Sequence, residues 1–560
     1  MKQFYLLSTL LLCALVSCKK EHKEDSMAAA LEVRQWKPTD LRSLNHLTEK
    51  RGLTLKTDEA TPGYIMFHPS EGTQTYLMDL DGNIVHSWSS ELNCMDSYLL
   101  KNGHLLRLER DMDFPTFDAG GQAGRLREYD WDGNMLWDFE YATEKQLTHH
   151  DIEPLPNGNI LAISYEVKTP EEAIAAGRDP ELVPKAGIWP DKIIEIKPIL
   201  PDKGEIVWEW HMWDHLVQDQ FPEKANYGNI SENPRKININ VASREATPPM
   251  TQEQVDQMIQ MGNATSNATV DNRGSDITHT NAVSYNPEKD QIVFSVPGYS
   301  EVMIIDHSTT TEEAKGSSGG KWGHGGDLLY RWGNPQNYGR GTEADEMLFG
   351  QHDVKFIPAG LPGAGHLMVY DNDILNPDNK FPSMFAALGD SRSPELQIPV
   401  GDFGNYSAVY EWALPVDASG AYILPDDGPI GPEEPSWSYM APDKYSFYSA
   451  FISGAHRMNN GHTLITEGMT GRFFEVTPDG KKVWEYWNPY NFHYRMPDGT
   501  HPQPIGPFFY GQFRATPYPL DYPAFSGKTL TPISPQPEPF IFKMPPAPEE
   551  KDMPEEGGSK

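Results

Sequence analysis

A strand closing on an aromatic residue recurs five times along this chain, at residues 82–88, 133–137, 204–210, 327–332 and 480–486, ending on Trp88, Trp137, Trp210, Trp332 and Tyr486. Before each lies a second apolar strand, at 75–79, 125–129, 192–196, 301–305 and 472–476. A third pattern of strand, Asn-Gly turn and strand stands at Asn102-Gly103, Asn157-Gly158 and Asn460-Gly461. Asn-Gly between apolar alternations is a strong hairpin signal, because glycine readily takes the positive φ that closes such a turn. Each unit thus supplies four antiparallel strands. A repeat that cannot bury its own faces must stack on its neighbours, and radial stacking gives propeller blades.

Five complete blades fall near 95–141, 149–213, 278–333, 350–414 and 451–487. Residues 61–91 supply three strands lacking a first, and 513–518 form a lone strand. Joined, these leftovers close a sixth blade from both chain ends and remove the ring's exposed edges. The expected architecture is all-β, a six-bladed β-propeller over residues 61–533 whose N- and C-terminal strands share one blade. A stacked pair of β-sandwiches is the alternative. The 48 Pro and 47 Gly among 560 residues agree with short strands and many turns. Insertions rich in Pro, Gly, Asn and Asp fall at 168–190, 214–276, 373–400 and 415–445, and 251–261 reads as a short helix with Val255, Met258 and Ile259 on one face. The Pro/Glu-rich tail 534–560 is expected to be disordered.

The chain begins with a charged Met1-Lys2-Gln3 and an apolar run over 4–16, too short to span a bilayer. Leu15-Val16-Ser17-Cys18 has the form of a lipobox. This predicts a signal peptide at 1–17, lipidation at Cys18, and a tether over 18–60. Lys19 is not a residue that retains a lipoprotein at the inner membrane, so the expected location is the cell envelope at the outer membrane, with membrane contact through the lipid only. Removing Cys13 with the signal and lipidating Cys18 leaves Cys94 without a disulfide partner. A formal net charge of −34 argues against nucleic acid as a partner.

Aligning the blades on their first strands brings three histidines together. His150 lies seven residues before Asn157 and His279 seven before Asn286, while His352 opens the matching strand of its own blade. Innermost strands line a propeller's channel, so His150, His279 and His352 should converge at one mouth, where His352 would be an exposed channel residue. Other histidines, among them His104, His307, His324 and His462, read as structural. Three imidazoles could hold a divalent metal with an open position. Alternatively, one neutral imidazole could act as a nucleophile while its neighbours donate protons.

The segments 148–159 (Thr-His-His-Asp-Ile-Glu-Pro-Leu-Pro-Asn-Gly-Asn), 276–283 (Asp-Ile-Thr-His-Thr-Asn-Ala-Val), 351–354 (Gln-His-Asp-Val) and 467–476 (Glu-Gly-Met-Thr-Gly-Arg-Phe-Phe-Glu-Val) resemble the bacterial arylsulfate sulfotransferase family. The resemblance runs from about residue 62 to 525. It implies a six-bladed propeller that moves a sulfuryl group from a small-molecule aryl sulfate donor to a phenol acceptor through a sulfated histidine. It implies no cofactor, adenosine-phosphosulfate included, and no metal. His352 matches the family's nucleophile; His279, with Asn281 two residues on, and His150 match further active-site positions. The resemblance also implies an arginine ending the second strand of the His279 blade, whereas 292–298 reads Ile-Val-Phe-Ser-Val-Pro-Gly. Arg514 on the closing inner strand and Arg472 are the candidate substitutes for binding the sulfate. Some relatives carry a disulfide that this chain cannot form. The rival readings are a sulfoester hydrolase on the same site, a non-catalytic propeller that binds glycans or aryl sulfates, and a metal enzyme using the three histidines.

Overall fold

The computed structural model describes residues 50–540 apart from 71, 112–116, 118, 244–250, 261–267, 375–404, 443 and 491–509. The signal segment 1–17, Cys18, the tether up to 49, most of the 373–400 insertion and the tail from 541 therefore lie outside the described residues.

Six antiparallel sheets form the blades. From the inside outward, blade 1 is Gln512–Pro519, Gly63–Pro69, Gln74–Met78 and Ile84–Ser89. Blade 2 is Cys94–Leu99, Leu105–Arg110, Gly124–Tyr129 and Met135–Glu140. Blade 3 is Gln146–Pro154, Ile160–Glu166, Asp191–Ile199 and Lys203–His211, with the short Ala142–Thr143 beside its first strand. Blade 4 is Ala282–Asn286, Gln291–Val296, Glu301–Asp306 and Tyr330–Trp332. Blade 5 is His352–Phe356, Leu367–Ile374, Tyr406–Trp412 and Trp437–Tyr439. Blade 6 is Gly454–Arg457, Thr463–Glu467, Arg472–Val476 and Lys482–Trp487. Each inner strand touches the next around a closed ring, so the chain is a six-bladed propeller with the expected shared closing blade. The glycines of the three Asn-Gly turns sit at φ +90° (Gly103) and +87° (Gly158, Gly461), the conformation those turns require.

The core consists of six apolar layers, one between each pair of adjacent blades. Middle strands are consequently covered on both faces; Gln291–Val296 is buried throughout, Gln291 and Ser295 included. The recurring tryptophan completes each layer. Its indole N–H crosses the junction and donates to a carbonyl between the third and fourth strands of the next blade. The six bonds are Trp88 to Asp130 (3.1 Å), Trp137 to Lys203 (2.7 Å), Trp210 to Gly326 (2.7 Å), Trp332 to Pro432 (2.9 Å), Trp437 to Pro478 (2.8 Å) and Trp484 to Leu80 (3.0 Å). An aromatic body in the layer and a satisfied N–H at its edge explain why the strand ending on tryptophan repeats.

Three boundaries differ from the sequence reading. Blade 5 ends at Trp437–Tyr439, inside the segment read as the 415–445 insertion. Trp412 is on its third strand, because the long insertion after Ile374 displaces the strand count, and Trp437 makes the junction bond instead. Gly52–Lys56, within the segment read as tether, pairs antiparallel with Lys482–Trp487 as a fifth strand of blade 6. Residues 534–540, read as the start of a disordered tail, are held to the ring: Gln536 exchanges hydrogen bonds with the Ile84 backbone (2.8 and 2.9 Å), and the Phe540 N–H donates to Pro489. The helix expected at 251–261 is Gln252–Gln260, with Val255 buried; the side chains of Met258 and Ile259 lie outside the description.

The inner strands meet at a single guanidinium. Arg514, on the closing strand, lies 2.8 Å from Asp96 Oδ2 (blade 2), 2.8 Å from Asp151 Oδ1 (blade 3) and 3.0 Å from Asp353 Oδ1 (blade 5), and donates to the Asn281 carbonyl (blade 4) at 3.0 Å. Asp353 in turn accepts the Ala455 N–H of blade 6 at 2.9 Å. All four charged side chains are buried. Burial raises Asp96 and pushes Asp151 up to about 7, and a hydrogen bond between these two carboxyls lets them share a proton, which limits the net charge. Removing the guanidinium would strand buried carboxyls, which costs about 3–5 kcal/mol. Arg514→Ala should therefore lower the thermal unfolding midpoint sharply; an unchanged midpoint in calorimetry would contradict this account of the ring.

Candidate active site

The inner strands are irregular at the end of the channel where the histidines lie. The pairing of blade 3 slips between Thr148 and Ile152, and that of blade 5 between His352 and Lys355. His150 (φ +56°), His279 (φ +53°) and Asp353 (φ +59°) occupy the left-handed region. Such backbone costs about 1–3 kcal/mol per residue and, like β-bulges, concentrates at functional sites, where it re-aims side chains. The bulge in blade 3 sends consecutive histidines in different directions. His149 turns into the blade and stacks on Tyr165, with ring centroids 3.6 Å apart and planes 6° apart. His150 turns into the channel and meets His279 edge-on at 4.5 Å.

Three further contacts set the chemistry of these rings. His352 Nδ1 faces Asn372 Oδ1 at 2.9 Å and the Gly350 carbonyl at 3.1 Å. The Asn372 amide nitrogen already donates to the Ser449 and Ile452 carbonyls, both at 2.8 Å, so its oxygen must be the atom facing the ring. Both partners of Nδ1 are acceptors, which puts the proton on Nδ1 and leaves a lone pair on Nε2. Burial, together with the nearby His279 and Arg514, lowers the His352 pKa to about 3 despite those bonds, so the ring is neutral near pH 7. The expectation of an exposed nucleophile is corrected here: His352 is only 6% exposed, because the loop before it and Asn372 behind it enclose the ring.

His279 Nδ1 lies 2.5 Å from Asp276 Oδ2, an oxygen that also accepts the Tyr165 hydroxyl at 2.9 Å. Burial would raise Asp276, but His279 outweighs it and holds the carboxyl below its ordinary range. The pair favours a carboxylate facing an imidazolium, which puts a charged donor beside His150. His150 itself is held well below the usual histidine value by burial and then by its basic neighbours His279, His149, His352 and Arg514. The three channel imidazoles are thus within electrostatic reach of one another. Among the described residues, no group of three His, Cys, Asp or Glu side chains is arranged to hold a metal ion.

The remaining sequence candidates take structural positions. Arg514 is enclosed by carboxyls and a carbonyl, as described above. Arg472 bonds Glu485 (3.0 and 2.9 Å), Glu467 (3.0 Å) and the Ser446 carbonyl (3.1 Å). Neither geometry suits a sulfate clamp. Asn281 donates its amide to the Gln351 carbonyl at 2.9 Å and so braces the residue preceding His352. His104, His307 and His462 pair with Glu128, with Asp290 and Glu195, and with Glu475 on the blades, as expected of structural histidines.

Sequence reasoning did not single out Asn372, Asp276, Tyr165, His149, Asp191 or the Gly120-Gly121 pair. The two glycines lie against the rings of His279 and His150, and the Gly121 carbonyl accepts the His150 N–H at 2.7 Å. Gly121 has φ +73°, and a methyl group there would overlap the His150 ring. The doubled glycine was the available signal, since such a pair marks close backbone approach.

The molecule is thus a β-propeller in which three imidazoles gather at the channel, His150 and His352 buried and His279 partly so, with His352 neutral and fixed in tautomer. The model of the arylsulfotransferase (ASST) family matches residues 49–486, and the chain belongs to that family. Membership implies aryl sulfotransferase activity with small-molecule aryl sulfates and phenols as substrates. No curated protein matches. Solved structures give weak likenesses. A protein of unknown function from Bacteroides caccae has 12% identity and a TM-score of 0.38, covering 82% of this chain and 99% of that one. A streptogramin B lyase has 10% identity and a TM-score of 0.33 (84% and 93%). An inactive variant of virginiamycin B lyase from Staphylococcus aureus has 10% identity and a TM-score of 0.31 (78% and 88%). Scores this low carry no argument about fold or activity.

Gly121→Ala should displace the His150 ring and reduce kcat/KM with 4-nitrophenyl sulfate by at least about tenfold, as small misplacements of reacting groups do. Wild-type turnover in a correctly folded variant would show that the loop does not position His150.

Proposed function

We propose that this protein transfers a sulfuryl group from a phenolic sulfate ester to a phenol acceptor through N-sulfated His352, without adenosine-phosphosulfate. The observation that carries this reading is the His352–Asn372 pair, which presents a neutral Nε2 lone pair beside two further imidazoles. Nε2 attacks sulfur, the bond from sulfur to the aryl oxygen breaks, and its electron pair leaves on the phenolate oxygen. In the second half-reaction an acceptor phenolate attacks sulfur, and the electron pair of the sulfur–nitrogen bond returns to Nε2.

Asn372 contributes through its neutrality. A carboxylate in its place would draw the Nδ1 proton away; the amide oxygen does not, so the sulfated ring remains cationic. A cationic imidazole is a good leaving group, which keeps the intermediate reactive toward the acceptor. A transferring sulfuryl group spreads charge over three equatorial oxygens, as a phosphoryl group does, so positioned donors supply most of the stabilisation. With no arginine at 292–298, the His279 imidazolium paired with Asp276 is the charged donor suited to that part. On the same reading, Cys18 carries the lipid that holds the propeller at the outer membrane.

Initial rates with 4-nitrophenyl sulfate and phenol varied together should give the parallel double-reciprocal lines of a ping-pong route. His352→Asn should lose at least about 10³-fold in kcat while the folding transition persists. Intersecting lines, or full activity in the variant, would overturn the covalent route. Release of nitrophenol without sulfation of the added phenol would instead establish a sulfoester hydrolase.

A further inference from the structure

His149 is buried and does not face the channel, yet it joins His150 to a carboxylate. Its Nε2 lies 2.9 Å from Asp191 Oδ1, and its Nδ1 lies 2.8 Å from His150 Nδ1. The other Asp191 oxygen accepts the Thr278 hydroxyl at 2.6 Å and the Thr280 N–H at 2.9 Å, which fixes the carboxylate. Tyr165 stacks on one face of the His149 ring, and Asp276 is the nearby carboxylate on that side. His279, His352 and Arg514 act on His150 from the channel.

The proton inventory of this chain is tightly constrained. Asp191 can only accept, so His149 Nε2 carries a hydrogen. A single proton must lie between the two facing Nδ1 atoms, on one or the other. If it is on His150, the His150 Nε2 has a free lone pair and His149 is neutral. If it is on His149, that ring is an imidazolium paired with Asp191, and His150, still neutral, can carry its hydrogen on Nε2. Both rings are buried, but His149 faces the Asp191 carboxylate, whereas His150 faces other imidazoles and Arg514.

We propose that Asp191, His149 and His150 form a proton relay, in which His150 exchanges a proton with the phenolic oxygen of donor and acceptor while the charge is held on His149. This rests on the sulfotransfer reading above. In the first half-reaction the His150 Nε2 hydrogen passes to the departing aryl oxygen, giving neutral phenol. The Nδ1 hydrogen of His149 moves to His150 Nδ1, leaving His149 neutral on Asp191. In the second half-reaction the acceptor phenol gives its hydrogen to His150 Nε2, the Nδ1 hydrogen returns to His149, and the starting state is restored. His150 touches substrate; His149 and Asp191 act through it as positioning and relay residues.

His149→Gln tests the relay, since a glutamine oxygen can still accept from His150 Nδ1 but cannot store a proton. Sulfation of His352 is followed by rapid quench and mass spectrometry with two donors, 4-nitrophenyl sulfate, whose phenolate leaves without help, and phenyl sulfate, whose phenolate needs a proton. Loss of a general acid costs about 10²–10⁴-fold. The loss with phenyl sulfate should exceed that with 4-nitrophenyl sulfate by at least about tenfold. Asp191→Asn, which reverses the favoured tautomer of His149, should show the same split and serves if the first variant does not fold. An equal loss with both donors in either folded variant would make the chain merely structural and overturn the relay. If the wild type gives no sulfated His352 with either donor, the covalent reading fails and the relay with it. A wild type that is sulfated while the variants show no split defeats the relay alone.

Discussion

The interaction on which the ring depends is the guanidinium of Arg514. It stands on the closing strand Gln512–Pro519, and it binds carboxyls from three inner strands and a carbonyl from the start of a fourth. The propeller closes electrostatically at its axis while the tryptophan bonds close it at the periphery. The same interaction builds the active site. Asp151 and Asp353 follow His150 and His352 directly in the chain. Once each carboxylate is fixed on Arg514, the preceding imidazole is held in a layer just above it. The left-handed backbone at His150 and Asp353 is where the chain turns between these two tasks. A residue that looks from sequence like a substrate clamp therefore works as the keystone beneath the site.

Above that layer the groups divide into a neutral imidazole, His352, and charged groups that come with partners. His352 is neutral because burial and its neighbours disfavour a second proton. Asp276 balances His279, and Asp191 stands behind His149. This arrangement suits a chain with a formal charge of −34 that must accept an anion. The long-range field is screened over about 8 Å at physiological salt, while the local donors act inside a buried, low-dielectric space where each is worth more. On the proposed sulfotransfer reading, selectivity for the transition state comes from donors fixed before substrate arrives.

Most of the fold was legible because its physics is periodic. Each junction needs an aromatic with an N–H at one edge and a turn carbonyl opposite, and the repeat of Trp88, Trp137, Trp210, Trp332 and Trp484 records that need five times. The sixth, Trp437, was hidden by the long insertion within its own blade. Gly52–Lys56, read as tether, joins the ring by backbone pairing, which leaves little trace in side-chain pattern, and residues 534–540, read as disordered tail, are held by the single side chain of Gln536 and the Phe540 N–H. At the site, the three histidines were found by blade alignment alone. Their partners were not. Asn372 and Asp191 come from other strands, and only folding brings them to the rings, while Asp276 stands three residues before His279 and its pairing with that ring left no pattern to read. His149 was obscured by sitting beside His150, because simple alternation does not reveal that a bulge gives the two rings separate roles.

The proposed covalent route turns on which atom holds the sulfuryl group between half-reactions. The direct measurement is intact-mass and peptide-mapping spectrometry of the protein quenched during reaction with an aryl sulfate in the absence of acceptor. One added sulfuryl group, on His352 and discharged by phenol, is the predicted result. Turnover with no protein adduct, or an adduct confined to another residue, would contradict it.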